Sequence, residues 1–206
     1  MIHDLDQTLD ALLKSELLTF GSSRVEVSFA APDDQFSVRL PAVDLFLYDL
    51  RENLELRGND DAYEELEPGK VRRRQPPVRV DASYLITAWP GGDRQASSQD
   101  EHRLLGAVMR VLLRHRKLPR EMLKGSLASQ ELPLPVSTLH PGRLQSLGEF
   151  WQALGGKPKA ALNYTVTFAV DANEPTEPLT RVTDKELRVG TWPDPNAAPA
   201  DEEEVA

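Results

Sequence analysis

Cysteine is absent from the 206-residue chain, so disulfides, thiol nucleophiles and Cys-based zinc sites are excluded together. A reducing compartment fits that composition. No apolar run approaches the 18 or so residues that a membrane-spanning helix needs, so no direct membrane insertion is expected. The opening Met1-Ile-His-Asp-Leu-Asp has neither a basic stretch nor an apolar core, unlike a secretion signal. Aromatics make up only 6% of the chain. What remains is 40% hydrophobic and 28% charged, enough for one sizeable core and short for two.

The net charge of −9 is unevenly spread. Residues 171–206 hold ten acids against Arg181, Lys185 and Arg188, a balance of −7, which leaves −2 for residues 1–170. A nearly neutral body lacks the clustered positive field of a phosphate-binding surface. No nucleic-acid partner is therefore expected.

Periodicity sets out the elements. Ile2, Leu5, Leu9, Leu12, Leu13 and Leu17 recur at helical spacing, with Asp4 and Gln7 placed as a capping box and Gly21 as the stop. Residues 24–29 and 160–170 alternate polar and apolar as half-buried strands. Residues 43–50 are apolar on both faces, the pattern of a central strand, with Asp49 the acid placed for partial burial. Residues 78–89 put Val78, Val80, Ala82, Tyr84, Ile86 and Ala88 on one face and Arg79, Asp81, Ser83 and Thr87 on the other. With no helix between them, 43–50 and 78–89 pair antiparallel, and 51–77 becomes a long hairpin arm. A helix over 99–115 is capped by Ser98 and Glu101, with basic residues including Arg114, Arg116 and Lys117 at its negative end. Residues 118–145 read as loop with one helical turn near 120–124. A second capping box, Ser146 and Glu149, starts a two-turn helix that ends at Gly155–Gly156. Arg181–Trp192 is a candidate edge strand. The expected organisation is an α+β core over 1–170 that carries the 51–77 arm, an extension over 171–192, and an acidic tail over 193–206 best left disordered. The fold class is α+β, a mainly antiparallel or mixed sheet with helices packed on it.

Reactive constellations are missing. His102 has Gly106, not histidine, at i+4, so the helical zinc motif is not formed. Gly21-Ser22-Ser23 and Ala96-Ser97-Ser98 lack the Gly-x-Ser-x-Gly elbow. Gly155-Gly156-Lys157 follows a helix instead of opening one, the wrong geometry for phosphate. The expectation is no catalytic residue, no cofactor and no metal.

Charge in the arm is more informative. Asp60, Asp61, Glu64, Glu65 and Glu67 face the run Lys70-Val71-Arg72-Arg73-Arg74. Two readings lead, that the limbs screen each other across the hairpin or that the arm meets a neighbouring subunit by charge complementarity; nucleic-acid binding comes third, because stacking aromatics are missing nearby. The candidate interface residues are Asp60, Asp61, Glu64, Glu65, Arg72, Arg73 and Arg74, joined by Arg188 and Trp192. Trp89 is a further tryptophan placed for exposure, whereas Trp151 fits a helix core face.

Several blocks, in order, resemble one family: Met1–Asp6, Val25–Pro32, Asp44–Asn53, Arg73–Trp89, Asp100–Gly106, Leu132–Pro135, Glu149–Gly155 and Ala161–Thr167. Together, over roughly residues 1–190, the chain is similar to the tube-terminator, or cap, proteins of phage-tail-like contractile injection systems. The resemblance implies a phage tail-terminator-like fold and a structural, non-enzymatic role. Six copies would form a ring on the distal end of the inner tube, ending its growth and anchoring the last layer of sheath protein. It implies partners in the chain itself, the tube protein and the sheath protein, cytoplasmic synthesis and assembly, and a particle open to extracellular release. The alternative is a non-enzymatic adaptor or protein-binding module built on the same body.

Overall fold

A computed structural model of the chain describes residues 1–17, 19–32, 38–58, 61–68, 70–91, 98–139, 147–155, 157–172, 176–181 and 185. In chain order the elements are helix α1 (Ile2–Glu16), strands β1 (Thr19–Phe20), β2 (Ser23–Arg24), β3 (Glu26–Ser28), β4 (Ala42–Glu52), β5 (Ala62–Glu67), β6 (Lys70–Arg74) and β7 (Val78–Trp89), helix α2 (Ser98–Arg114), strand β8 (Val136–Thr138), helix α3 (Leu147–Ala153), and strands β9 (Ala161–Val170) and β10 (Leu179–Thr180). They fall into two units: Met1–Asp60 with Gln75–Glu174, and Asp61–Arg74 with Pro175–Ala206.

The larger unit is built on a five-stranded mixed sheet ordered β3-β4-β7-β9-β8. β3 runs parallel to β4, and the other neighbours are antiparallel. β4 and β7 pair as the alternation predicts, with Leu45 opposite Ile86 and Val43 opposite Ala88. One face carries Ala82, Tyr84 and Ile86 of β7 and Tyr164, Val166 and Phe168 of β9. Leu5, Leu9, Leu12 and Leu13 of α1 and Leu104, Val108 and Leu112 of α2 seal it. Each of those leucines is completely buried, and each such side chain contributes about 1.5–3 kcal/mol by leaving water.

The second face is polar and yet enclosed. Arg79, Asp81, Ser83 and Thr87 do sit opposite the apolar set, but they are buried too. β7 is the middle strand of five, so Asp81 and Ser83 find partners on the neighbouring strand instead of in water, while Arg79 Nε is buried without one. Asp81 Oδ1 accepts from Thr167 Oγ1 at 2.7 Å and Asn53 Nδ2 at 3.0 Å, and Ser83 lies 3.1 Å from Thr165, hydroxyl to hydroxyl. Arg79 donates to the Pro133 carbonyl at 3.1 Å. Phe150 of α3 packs on Phe46 and Tyr48 at centroid distances of 6.1 and 6.4 Å, and Trp151 is buried.

A bulge in β4 between Leu47 and Asp49 sets the side on which Asp49 lies. It places Asp49 opposite Ser83, on the side of Asp44 and Phe46, where Arg51 binds it at 2.6 Å. Asp49 is thus half-exposed, and the fully buried acid of this strand is Asp44.

The helix boundaries correct three cap assignments. α1 begins at Ile2, so Asp4 lies within its first turn, and Met1 is the N-cap without a side-chain cap bond. Gln7 Nε2 meets His3 Nε2 at 3.0 Å instead of closing a capping box. Gly21 (φ +63°) turns the β1–β2 hairpin, whereas the helix already ends at Leu17. Ser98 is the first residue of α2, and the Glu101 carboxylate binds Lys159 at 2.9 Å. Gly155 does adopt the left-handed conformation after α3 (φ +67°); its partner Gly156 and the cap Ser146 lie outside the described residues. Between α2 and α3, 3-10 turns at Arg120–Met122 and Gly125–Leu127 are followed by β8, a strand that the proline-spaced sequence conceals.

The smaller unit contains a three-stranded sheet ordered β10-β6-β5. β5 and β6 form the hairpin expected within the arm, and β10 adds antiparallel to β6. Most of the candidate strand 181–192 lies outside the described residues.

Candidate subunit interface

The hairpin shows how its charges are arranged. Tyr63 stands opposite Arg73, Glu64 opposite Arg72, Ala62 opposite Arg74 and Glu65 opposite Val71. Acids on one strand therefore face bases on the other, a pairing that favours this register. Asp61 takes two bonds from Arg73, at 2.7 Å from Nε and 2.6 Å from Nη2. That hydrogen-bonded charge pair raises the Arg73 pKa above its usual value. Glu65 lies 3.8 Å from Arg181, beyond β10, and Glu67 lies 3.3 Å from Lys70. Thr176 Oγ1 donates to the Arg73 carbonyl at 2.7 Å.

The structure thus brings Asp61, Glu64, Glu65, Arg72, Arg73 and Arg74 together on one hairpin, while Asp60, Arg188 and Trp192 lie outside the described residues. Mutual screening within the hairpin is realised in the Asp61–Arg73 pair. Much of the surface stays open: Tyr63 is 63% exposed and Leu179 50%. Sequence reasoning missed Tyr63. It is the one aromatic of the hairpin, and its strand partner is Arg73, a pairing that the observed register alone reveals.

Trp89, the other tryptophan placed for exposure, is half-buried. Its Nε1 donates to Thr87 Oγ1 at 2.9 Å, and Lys159 Nζ stands 4.2 Å from the ring centroid. It locks the end of β7 to the start of β9. His115 also serves structure. His115 Nε2 lies 2.5 Å from Glu16 Oε1, and Arg114 donates to Glu16 Oε2 at 2.7 Å, which ties the ends of α1 and α2. Burial raises the Glu16 pKa, but His115 and Arg114 outweigh it together and hold the carboxyl below its usual range. Among the described residues no three His, Cys, Asp or Glu side chains gather as a metal site, and no helix is long and apolar enough to cross a membrane.

Architecture and charged hairpin together define an α+β protein of the tail-terminator kind, with a mixed sheet under two long helices. The chain belongs to the Pvc16 N-terminal domain family, whose model matches residues 4–184. It is similar to the PVC sheath/tube terminator of an extracellular contractile injection system in its extended state. That match has 27% identity and a TM-score of 0.67, covering 93% of this chain and 64% of that one. It is also similar to the tube-terminating cap of the anti-feeding prophage, again at 27% identity, with a TM-score of 0.64 over 92% of this chain and 62% of that one. The chain therefore spans somewhat less than two thirds of each of these terminators. No curated protein matches. The resemblance and fold class drawn from the sequence are borne out by these matches.

Proposed function

We propose that the chain is a structural assembly protein, the cap of a contractile injection system. Copies of it close a ring, six in number by the resemblance, on the distal end of the inner tube and sheath. The ring ends tube growth and anchors the last sheath layer. The observation that carries this reading is similarity to two terminators across more than nine-tenths of the chain, at an identity that extends beyond shared architecture.

The physical chemistry is compatible. Shape and self-association would do the work. A ring needs two different patches on each copy that complement one another and close after a fixed rotation. The hairpin surface with Tyr63, Glu64 and Arg72, and the 181–192 segment with Arg188 and Trp192, are the candidates for those patches. Assembly takes place in the cytoplasm, and the finished particle is available for release.

Electron microscopy of the purified chain tests the reading. Rings of one diameter are expected, together with a matching mass by light scattering. A monodisperse monomer at high concentration, even with its tube protein present, would contradict it.

A further inference from the structure

Beyond the last residue of α2 the chain runs through His115, Arg116 and Lys117 into the 118–123 segment, and residues 132–134 return alongside. Between them lies an open groove of about 630 Å³. Its walls are fixed by backbone bonds: the Leu118 amide donates to the Leu134 carbonyl at 2.9 Å, and the Val136 amide to the Arg116 carbonyl at 3.1 Å. Leu118, Leu123 and Leu134 form a buried apolar floor, and Leu132, 40% exposed, stands at the lip. Arg114, Arg116, Lys117 and Arg120 rim it, all exposed, against the single acid Glu121.

This is more positive charge than a helix end requires. Arg114, in the last turn of α2, already complements the dipole and is bound to Glu16. Arg120 donates to the Glu131 carbonyl at 2.8 Å. The side chains of Arg116 and Lys117 have no ion pair or hydrogen bond among the described residues. In a body whose first 170 residues carry only −2, this rim is a local excess.

We propose that the groove receives the acidic segment Asp201-Glu-Glu-Glu204, followed by Val205, from a neighbouring copy of the chain. Residues 171–206 hold seven of the nine net negative charges, and the run of four carboxylates in this segment complements a rim on which Arg116 and Lys117 are left unpaired among the described residues. An extended strand spaces residues at roughly 3.3 Å and alternates their sides, so some carboxylates reach the rim while Val205 reaches the leucine floor. Asp201 lies twenty positions beyond Arg181, a reach of up to roughly 66 Å when extended, enough to leave the copy that owns the segment. The inference rests on the ring reading, because it needs an adjacent copy. Such pairing orients neighbours and speeds their encounter more than it tightens them, and it weakens with salt.

Zero-length carbodiimide cross-linking of the full chain, mixed from equal parts unlabelled and ¹⁵N-labelled protein, tests it by mass spectrometry, with mass photometry of the same sample. The expected result is an amide between Lys117 and Glu202, Glu203 or Glu204 in mixed-isotope pairs. It should fall at least tenfold in Arg116→Glu, which keeps the Lys117 amine, and likewise in 0.5 M salt. A ring-sized particle without that link, or with links spread evenly over exposed amines such as Lys70 and Lys124, overturns the inference and leaves the ring intact. Links found only within one isotope place the segment on its own copy and overturn the neighbour assignment. A monomeric mass overturns the ring reading and this inference with it.

Discussion

Ser126 and Asp4, 122 positions apart, meet through both a hydroxyl bond of 2.6 Å and a backbone amide bond of 3.0 Å to the same carboxylate oxygen. This contact ties the first turn of α1 to the 3-10 turn at Gly125–Leu127. The Ser126 hydroxyl first, then the Met1 amino group and the Ser126 amide, hold the Asp4 carboxyl down at about 2. Gly125 makes the approach possible. Its φ is +52°, and a β-carbon there would overlap the Asp4 carboxylate.

Gly125→Ala should therefore destabilise the fold by at least the roughly 1–2 kcal/mol of a left-handed non-glycine residue, with the clash against Asp4 added. Chemical denaturation of the two chains measures this directly. An unchanged midpoint would show that the 124–127 turn is not held by Asp4.

The same contact has a pH signature. Because the Asp4 pKa is depressed in the folded chain, its stabilisation is complete above the ordinary carboxylate range near 3.8 and disappears as pH falls through about 2. Asp4→Asn should lower Tm at pH 7, and the gap between variant and parent should narrow steadily below pH 4. A gap independent of pH would assign the loss to something other than the charge.

Asp44 works in the opposite direction. It is fully buried beside Ser28 and the Ala30 amide, whose polar contacts only partly offset the cost of burying its charge. Burial pushes its pKa up from 3.8 to about 6. Between those values the folded chain keeps a proton that the unfolded chain releases, so stability falls as pH rises from about 4 and levels off above 6. The cost reaches about 3 kcal/mol, at roughly 1.4 kcal/mol per unit. Asp44→Asn should raise Tm at pH 8 and leave it nearly unchanged at pH 4. Equal Tm values for the two chains at pH 8 would contradict this.

The arm allows a separate test of assembly. Residues 61–74 cluster with 175–206 and not with the larger sheet. Replacing 61–74 by a short Gly-Ser bridge should leave the thermal transition of the α1–α2–sheet unit in place while ring formation fails. Light scattering reads the second outcome and circular dichroism the first. A ring of unaltered mass would remove the hairpin from the interface.

Much of the architecture is legible because local patterns and tertiary burial agree. The leucine stripe of α1, the stripe of α2 and the alternation in β9 each have one apolar face, and each buries it. Misread positions are those where tertiary context overrules the local pattern. Asp4 and Glu101 look like caps, but their carboxylates are taken by Ser126 and Lys159 from elsewhere in the chain. Asp81, Ser83 and Thr87 alternate with the apolar set, yet the strands beside β7 enclose them: Thr167 and Thr165 of β9 meet Asp81 and Ser83, while Thr87 accepts from Trp89 of its own strand. Asp49 is partly buried as its place in the strand suggests, but the bulge that sets it beside Ser83 has no signature in the residues around Tyr48. The charged hairpin was visible as opposing runs of acid and base. The groove was not, since its walls come from segments some 15 residues apart that read as a helix end and a proline-rich loop.

The central claim is that this chain stops a polymer by closing a ring over its end. Tube length, measured by electron microscopy on particles assembled with and without the chain, tests it most directly. The account predicts tubes of narrow length distribution with a ring at the distal end when the chain is present, and overgrown or ragged tubes without it. Identical length distributions and identical ends in the two preparations would contradict it.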